Sequence, residues 1–286
     1  MSRYYIFNKD GTIKYVFDGM FSIELPNNPQ APTLRDLGLS LVHPFYNEEE
    51  RFKVQLETWM GYSDLVKRAI YINVVDDCSD PPVLAWLPNK IVKRLDINIS
   101  IQRIGAPDVK WNTPAALNLG IHTAKTDWVL FMDSDCLMEE PMLAMLLTKL
   151  SPEKETAYFF MRKRITNDPV KAQVIRPLTC CILVNKELWN NVGGFDEDFV
   201  GAKSGGYGMF DCDFVWRLGN NRCVVRDVIV TEYLELGKNI QEKSGVQEDH
   251  IKINKRLFRA KQMGKVPPNL DRLAFEWKTK LDHERW

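Results

Sequence analysis

The fold is decided by the stretch Trp128-Val129-Leu130-Phe131-Met132-Asp133-Ser134-Asp135. Its five apolar residues predict a buried strand from Trp128 to Met132, and two aspartates one residue apart follow at once. At an effective dielectric near 20, two like charges about 4 Å apart cost on the order of 4 kcal/mol, and a hard divalent cation would reverse that repulsion. The motif therefore indicates a metal site or, as the plainer alternative, a solvated turn in which Asp135 caps the next helix.

Upstream of this stretch the sequence alternates between strand and helix patterns. Buried strands are predicted from Leu37 to His43 and from Ala69 to Val75, and Ile97 to Ile101 alternates apolar with polar residues as a third strand. Asn47 is expected to cap the helix after the first strand, and Thr113-Pro114 to open the helix before residue 128. This order predicts a mainly parallel α/β sheet with helices on both faces.

Acidic and turn-forming residues follow three of the four predicted strands. These segments are His43-Pro44-Phe45-Tyr46-Asn47, Asp76-Asp77-Cys78-Ser79 and Asp133-Ser134-Asp135. The carboxyl ends of parallel strands meet at one edge of a sheet, and α/β proteins bind their ligands beyond that edge. We therefore expect the three segments to crowd one rim and to form the functional site.

The ordered set of motifs resembles the signature of family-two glycosyltransferases. The donor-side motifs are Val42-His43-Pro44-Phe45-Tyr46-Asn47-Glu48-Glu49, Val74-Val75-Asp76-Asp77-Cys78-Ser79-Asp80, Ala115-Ala116-Leu117-Asn118-Leu119-Gly120 and Leu130-Phe131-Met132-Asp133-Ser134-Asp135. The acceptor-side motifs are Val192-Gly193-Gly194-Phe195-Asp196-Glu197, Gly205-Gly206-Tyr207-Gly208 and Asp211-Cys212-Asp213-Phe214. Their order and spacing agree from Leu37 to Leu218, which makes chance agreement improbable.

The resemblance implies a GT-A fold, the Rossmann-like α/β fold of nucleotide-diphosphosugar transferases. It also implies a UDP-sugar donor, or less often a GDP- or TDP-sugar, held with Mn(II) or Mg(II). Carried onto this sequence, the nucleoside pocket falls on Pro44, Tyr46 and Glu48, and either Asp76 or Asp77 meets the base or the ribose. A cation bridging both phosphates would stabilise the charge that builds on the departing nucleotide.

The same resemblance assigns the metal to the end of the fourth strand. Asp135 would bind the metal, and Asp133 would touch the ribose or the metal through water. Some relatives add a late histidine ligand, and His250 is the candidate for that place in this chain. The alternative for His250 is a surface histidine without a ligand.

Other donor contacts follow less directly. Ser134 and Asn118 complete the expected donor-binding set. The arginine that relatives often carry before the asparagine of the Asn-x-Gly turn is replaced here by Leu117. Lys110 is the candidate that supplies the lost positive charge, with a solvated lysine as the alternative.

Asp211 stands where inverting relatives carry an acidic catalytic base. It would take the proton from the acceptor hydroxyl as the oxygen attacks C1 of the sugar, beside a wall formed by Tyr207, Phe210 and Phe214. Many relatives have Glu immediately before this aspartate, where Phe210 stands here, so the acceptor contacts of that acid are missing or moved. The alternative role for Asp211 is the N-cap of the helix that contains Phe214.

The expected organisation has three parts. Residues 1–35 would form an N-terminal β-hairpin and connector, because an Asp-Gly pair separates two apolar runs. Residues 36–240 would form the GT-A domain, with a donor half at 36–138 and an acceptor half at 139–240. Residues 241–286 would form a helical extension. Its apolar positions at helical spacing are Leu270, Leu273, Ala274, Trp277 and Leu281.

Composition restricts the partners. Lysine plus arginine equals aspartate plus glutamate at 38 each in 286 residues, so no global positive field attracts nucleic acid. The charge run Arg162-Lys163-Arg164 would steer a phosphorylated acceptor or, as charge runs usually do, mark a solvated strand edge. The six scattered cysteines favour reduced thiols in the cytoplasm. No apolar run reaches the roughly 20 residues of a membrane span, so we expect neither secretion nor a transmembrane segment.

The acceptor cannot be read from the sequence. A glycan, a lipid-linked sugar, a protein and a modified DNA base all remain open, and a homo-oligomer through the tail is a further alternative. Two rival functions are a phosphatase-like enzyme with an aspartate nucleophile in its D-x-D motif and a non-catalytic module that binds sugar nucleotides or glycans. Phosphatases of that kind usually place the motif on the first strand, whereas here it follows the fourth.

Overall fold

The structure is a computed structural model of the chain. It describes residues 2–7, 13–23, 31–87, 96–105, 112–165, 173–175, 177, 179, 181–199, 206, 208–233, 248–269, 272–273 and 275–283. None of the helices in these ranges is long and apolar enough to cross a membrane. No disulfide joins the cysteines that the ranges contain.

The described residues contain strands and helices in alternation. The strands are β1 (Ser2–Phe7), β2 (Ile13–Ile23), β3 (Leu39–Phe45), β4 (Ile70–Asp76), β5 (Ile99–Ile104), β6 (Trp128–Met132), β7 (Cys136–Leu137), β8 (Ala157–Ile165), β9 (Gln173–Ile175), β10 (Cys181–Asn185), β11 (Arg222–Tyr233) and β12 (Trp277–His283). The helices are α1 (Leu34–Leu37), α2 (Glu49–Gly61), α3 (Asp64–Ala69), α4 (Val83–Trp86), α5 (Thr113–His122), α6 (Glu140–Lys149), α7 (Lys186–Val192), α8 (Phe210–Arg217) and α9 (Glu248–Gln262). A single 3₁₀ turn covers Glu197–Phe199.

The centre of the sheet is formed by four parallel strands in the order β5-β4-β3-β6. The predicted parallel sheet is thus confirmed, and β6 has the predicted limits. The strand order reverses direction between β3 and β6, because successive strands are added first on one side of β3 and then on the other. Such a switch point leaves a crevice at the carboxyl ends of the two strands, where open α/β sheets bind their ligands.

Beyond β6 the sheet becomes mixed. Strand β10 pairs antiparallel with β6 and with β8, and β8 pairs parallel with β11. Strands β1 and β2 form the predicted antiparallel hairpin, and β2 pairs parallel with β11. The hairpin therefore extends the edge of the main sheet.

The core lies on both faces of the sheet, and β6 shows why. Its residues alternate between two apolar clusters, with Leu130 in the cluster that contains Trp59 of α2 and Phe131 in the cluster that contains Trp189 of α7 and Phe214 of α8. A strand covered by helices on both faces needs apolar residues at every position. The continuous apolar run before the aspartates is the direct consequence.

Helix α5 opens at Thr113-Pro114 as predicted, but the predicted caps Asn47 and Thr113 are each wrong by one residue. Asn47 has a φ of 50° and stands outside α2, whose N-cap is Glu48. The Asn47 side chain instead accepts a hydrogen bond from the backbone N–H of Asp80 at 2.8 Å. In α5 the N-cap is Asn112, whose side chain accepts from Ala115 N at 3.2 Å.

The prediction of a helical tail is wrong for its last part. Helix α9 is present, but residues 277–283 form β12, which pairs antiparallel with β5. A spacing of four places Trp277 and Leu281 on one side of a strand as well as of a helix, so the pattern did not distinguish the two. The exposed edge of β5 decides the outcome, because its backbone groups gain partners from β12. Leu270 and Ala274 lie outside the described residues.

Helix α5 lies so close to the sheet that one of its positions must lack a side chain. A Cβ atom on Gly120 would come within 2.3 Å of Val42 Cγ1 and 3.2 Å of Val75 Cγ2. We predict that Gly120→Ala lowers the free energy of unfolding by about 1–3 kcal/mol, measured by urea denaturation, because the added methyl overpacks this contact.

Gly61→Ala is the matched control for this prediction. A Cβ on Gly61, at the end of α2, would meet no atom within 4 Å. The control should leave stability unchanged or raise it by up to about 1 kcal/mol through helix propensity. Equal effects of the two substitutions would contradict the close approach of α5 to β3.

Candidate active site

The loops after β3 and β4 form one unit at the carboxyl edge of the sheet. Backbone N–H of Asp77 donates to Phe45 O at 2.9 Å. Backbone N–H of Asn47 donates to Ser79 Oγ at 3.0 Å, and the Asn47 side chain accepts from Asp80 N. The predicted convergence of these two segments is therefore observed, and it builds one wall of the crevice.

The adjacent aspartates of this wall have different environments. Asp76 is buried, and its Oδ1 accepts from Ser79 N at 2.8 Å. Its Oδ2 accepts from Val83 N at 3.1 Å and pairs with Arg103 Nη1 at 2.5 Å. Asp76 thus holds the loop and the start of α4 in place.

Asp77 keeps one oxygen available. Its Oδ2 accepts a hydrogen bond from Asn112 N, whereas its buried Oδ1 has no hydrogen-bond partner among the described residues. Burial raises the pKa of Asp77 to about 7, against the effect of the Asn112 hydrogen bond, and Asp76 adds to the rise. Burial also raises the pKa of the half-buried Tyr46, and the charges of Asp77 and Cys78 add to that rise. A carboxyl group and a phenol therefore lie near each other at the crevice.

The other residues predicted for the nucleoside pocket are more enclosed. Pro44 is buried within β3. Glu48 is buried, and its Oε1 accepts from Arg51 Nη1 at 3.2 Å. Lys110 lies outside the described residues.

Asn118 connects helix α5 to residues 195–197 by hydrogen bonds. Its Nδ2 donates to Phe195 O at 2.9 Å and to Glu197 Oε1 at 2.8 Å, and its Oδ1 accepts from Phe195 N at 2.9 Å. Both amide hydrogens are therefore used inside the fold. In the structure Asn118 joins α5 to the turn at Phe195, and its donor contact stays a prediction.

The aspartates after β6 lie on the other wall of the crevice. Asp133, Ser134 and Asp135 are all half-buried. The turn is closed by Cys136 N, which donates to Asp133 O at 2.9 Å, and Tyr233 N donates to Asp135 O at 2.8 Å. The alternative that Asp135 caps the next helix is wrong, because α6 has Glu139 as its N-cap.

The donor atoms at this position suit Mn(II) or Mg(II). Both ions prefer oxygen ligands, and Mg(II) is commonly held by one or two carboxylates together with substrate phosphates. Within the described ranges, no group of three or more His, Cys, Asp or Glu side chains is placed to hold a metal ion. His250 is half-buried near the start of α9 and does not complete such a group with Asp133 and Asp135.

Asp211 lies in the first turn of α8. The prediction that it caps this helix is wrong, because the N-cap is Met209, which has a φ of 74°. The half-buried carboxylate accepts a hydrogen bond from Thr179 Oγ1. This hydroxyl and the positive end of the helix dipole both favour the ionised carboxylate. Of its predicted wall, Phe210 packs against Phe195, and Tyr207 lies outside the described residues.

Helix α9 fixes the loop that leads to Asp211. Asn254 is fully buried, and its Nδ2 donates to Phe199 O at 3.0 Å and to Gly208 O at 2.8 Å. A Cβ on Gly206 would come within 2.1 Å of Asn254 Oδ1, so glycine is required there. Sequence reasoning missed this role, because no local pattern marks an asparagine that contacts residues about 50 positions away.

Buried ion pairs hold the remaining acceptor-side segments. Arg217 Nε pairs with Asp213 Oδ2 at 2.7 Å, and its other nitrogens donate to Val192 O and Gly194 O at 2.6 and 2.7 Å. Lys261 of α9 pairs with Asp196 at 2.8 Å and with Asp198 at 2.9 Å. The spacing of four between Asp213 and Arg217 on one helix is the signal that could have revealed the first pair.

The two arginines of the basic run on β8 are bound to an acidic residue of the protein. Arg162 is buried and its Nη1 lies 2.7 Å from Glu232 Oε1, while Arg164 Nε lies 2.8 Å from Glu232 Oε2. The expectation of a solvated strand edge is therefore wrong for Arg162. Glu232 is also the register partner of Cys136, so this ion-pair cluster supports the loop that carries Asp133 and Asp135.

The fold and the sequence model together assign the chain to a family. Open α/β sheets of this kind bind their ligands at the switch point. The sequence model described as "Glycosyl transferase family 2" matches residues 40–217, well over half of the chain. The chain belongs to glycosyl transferase family 2.

Solved structures show the same GT-A fold. Residues 1–349 of S. aureus TarS in complex with UDP-GlcNAc align with a TM-score of 0.53 at 17% identity, over 82% of this chain and 68% of that one. The mannosyltransferase PcManGT from Pyrobaculum calidifontis, in complex with GDP-Man and Mn²⁺, aligns with a TM-score of 0.52 at 16% identity, over 87% of this chain and 66% of that one.

A curated relative matches a shorter part of the sequence. Chondroitin synthase of Pasteurella multocida (strain Pm70) is 23% identical over 142 residues, which are 50% of this chain. The match spans only 14% of the synthase.

The buried Asp77 generates a prediction about pH. Its raised pKa means that the unfolded chain ionises near pH 4 while the folded protein keeps the proton until about pH 7. The folded state therefore loses stability relative to the unfolded state as the pH rises through this window, and the loss is constant above it. We predict that the stability gain of Asp77→Asn over the wild type grows between about pH 4 and 7, measured by urea denaturation.

Asp80→Asn is the control, because Asp80 belongs to the same loop and is exposed. Its stability difference from the wild type should stay flat over the same pH range. Parallel curves for the wild type and Asp77→Asn would contradict the burial of an ionisable carboxyl at position 77.

Proposed function

We propose that this protein transfers a sugar from a nucleotide-diphosphosugar, preferably a UDP-sugar, to an acceptor hydroxyl with inversion at the anomeric carbon. The observation that carries the proposal is the position of Asp133 and Asp135 after β6, across the switch-point crevice from Tyr46 and Asp77. Membership of glycosyl transferase family 2 and the donor complexes of the two similar structures support it.

In this proposal the nucleoside binds between the loops after β3 and β4. Asp77 is the residue that meets the base or ribose, because its Oδ1 has no hydrogen-bond partner among the described residues while both oxygens of Asp76 are used. Tyr46 supplies an aromatic surface beside it. Pro44 and Glu48 shape the floor and rim of the same pocket, with Glu48 fixed by Arg51.

The diphosphate binds at the end of β6. Asp135, supported by Asp133 and Ser134, would hold Mn(II) or Mg(II) beside the diphosphate. When bound, such an ion offsets the charge that develops on the departing nucleotide. The positive charge expected from Lys110 and the ligand role of His250 are not needed for this arrangement, since two carboxylates and a diphosphate suffice.

Asp211 acts as the general base. It takes the proton of the acceptor hydroxyl while the oxygen attacks the anomeric carbon and the bond to the diphosphate oxygen breaks. Thr179 orients its carboxylate by a hydrogen bond, and Asn254 holds Gly208 three residues before it. These contacts keep the base in place.

The two rival functions would depend on different residues. A phosphatase-like enzyme would need an aspartate nucleophile after the first strand, whereas this D-x-D follows the fourth parallel strand and the family match covers it. A non-catalytic binding module would bind the donor but would not depend on Asp211. The substitutions described below separate that module from an enzyme.

The proposal is tested first by a thermal-shift panel of nucleotide sugars with and without Mn(II). A specific donor stabilises the folded protein by mass action before any acceptor is known, by about 2.7 kcal/mol at a hundredfold excess over its Kd. We expect a UDP-sugar to give the largest shift, and only with the metal. No metal-dependent shift with any nucleotide sugar would overturn the proposal.

We predict that Asp135→Asn abolishes metal-dependent donor binding, because the substitution removes the charge that holds the ion. Binding is measured by titration calorimetry of the donor with Mn(II). Asp127→Asn is the control, since this exposed aspartate precedes the opposite end of the same strand. Equal donor affinity in all three proteins would contradict a metal site at Asp135.

We predict that Asp211→Asn leaves donor binding intact and lowers transfer by about a hundredfold or more, the usual loss for a general base. Transfer is measured as nucleotide release with a panel of glycan, lipid-linked sugar, protein and modified-DNA acceptors. NMR of the product gives the anomeric configuration. A retained configuration would remove Asp211 from the role of base.

A further inference from the structure

Helix α2 connects the two walls of the donor crevice. It begins directly after the loop of Tyr46, which belongs to the nucleoside wall. Farther along, Gln55 Nε2 donates to Cys136 O, and Tyr62 Oη, just past the end of the helix, donates to Met138 O at 2.5 Å. One helix therefore carries the nucleoside loop at its start and contacts the metal loop with its later residues.

The metal loop is held at consecutive peptide groups from opposite sides. Strand β11 donates from Tyr233 N to Asp135 O at 2.8 Å. Helix α2 donates from Gln55 to the carbonyl of the next residue, Cys136. Because each peptide group is planar, fixing both carbonyls restricts the backbone around Cys136 and with it the direction of the Asp135 side chain.

Gln55 is an unexpected residue at this position. It is only 3% exposed, and its Oε1 has no hydrogen-bond partner among the described residues. Burying an unpaired amide oxygen costs free energy, so packing alone would favour an apolar side chain of the same length. Because Cys136 O can only accept a hydrogen bond, the Gln55 side chain must point its NH₂ group, and not its oxygen, to the loop. Among the described residues, this amide therefore has one polar contact, which is with the carbonyl of Cys136, next to Asp135.

We propose that Gln55 is a positioning residue that sets the metal affinity of the site by fixing the loop of Asp135. This inference rests on the proposed function, because it assumes that Asp135 binds the metal. Groups that orient metal ligands without touching the metal commonly change metal affinity or activity by 10–100-fold when substituted. Gln55 acts through the backbone of Cys136 and touches neither metal nor donor.

The test uses Gln55→Met, which keeps the unbranched shape and removes both polar atoms. We expect the Kd for Mn(II), measured by electron paramagnetic resonance in the presence of UDP, to rise about tenfold or more. The Mn(II) line shape should also change, because the ligand geometry changes. The affinity for UDP without metal should stay within about twofold of the wild type.

Asn98→Leu is the matched control. Asn98 is also buried, and its Nδ2 donates to a backbone carbonyl, that of Ile70, at the opposite end of the sheet. This control removes the same kind of bond and should leave the Kd for Mn(II) unchanged. Gln55→Leu provides a second apolar variant if Gln55→Met folds poorly, and it should weaken Mn(II) in the same direction.

The outcomes separate the two proposals. If Asp135→Asn abolishes Mn(II) binding while both Gln55 variants bind Mn(II) like the wild type, the role of Gln55 is wrong and the proposed function stands. If Asn98→Leu weakens Mn(II) as much as Gln55→Met, the effect is general loosening and the inference also fails. If Asp135→Asn binds Mn(II) normally, the proposed function itself fails.

Discussion

The repulsion between carboxylates gathered at one edge of the sheet is the constraint on which the rest of this structure depends. Asp133 and Asp135 stand one residue apart at the end of β6, and like charges this close separate unless the backbone prevents it. The fold prevents it by binding their loop to β11 on one side and to α2 on the other. The ion pairs of Glu232 with Arg162 and Arg164 stabilise the same region. In the proposed function, the loop that would hold the cation is thus fixed by contacts within the protein.

The segments that carry the acceptor-side motifs are held in place by contacts of another kind. Helix α9 comes late in the chain and contacts segments that lie far earlier, through Asn254 and Lys261. Lys261 is almost fully enclosed between Asp196 and Asp198, and removing one member of a buried ion pair is strongly destabilising. The glycine loop before Asp211 therefore depends on the C-terminal part of the chain. The two nearby aspartates of this segment have different partners, since Asp211 accepts a hydrogen bond from Thr179 while Asp213 is bound by Arg217.

The same contrast appears on the donor side. Asp76 and Asp77 are chemically identical and adjacent. Asp76 has three partners, whereas the buried Oδ1 of Asp77 has none among the described residues. Their different hydrogen-bond partners follow from the direction in which each side chain turns at the strand end. Asn118 shows the reverse case, because a residue of a donor-binding motif has both amide hydrogens bound inside the fold.

The sequence by itself determined the parallel sheet, the limits of β6 and the gathering of the acidic segments at one rim. These features follow from local periodicity and from the rule that parallel strands end at one edge. Only the tertiary structure decided the hydrogen bonds of Asp76 and Asp77, the partners of Arg162 and Asn118, and the strand formed by Trp277 to His283. Each of these depends on groups distant in the chain: the edge of β5 for the tail, Glu232 for Arg162 and Asn112 for Asp77. Periodicity carries no information about such contacts, because it reports which face of an element is buried and not what covers it.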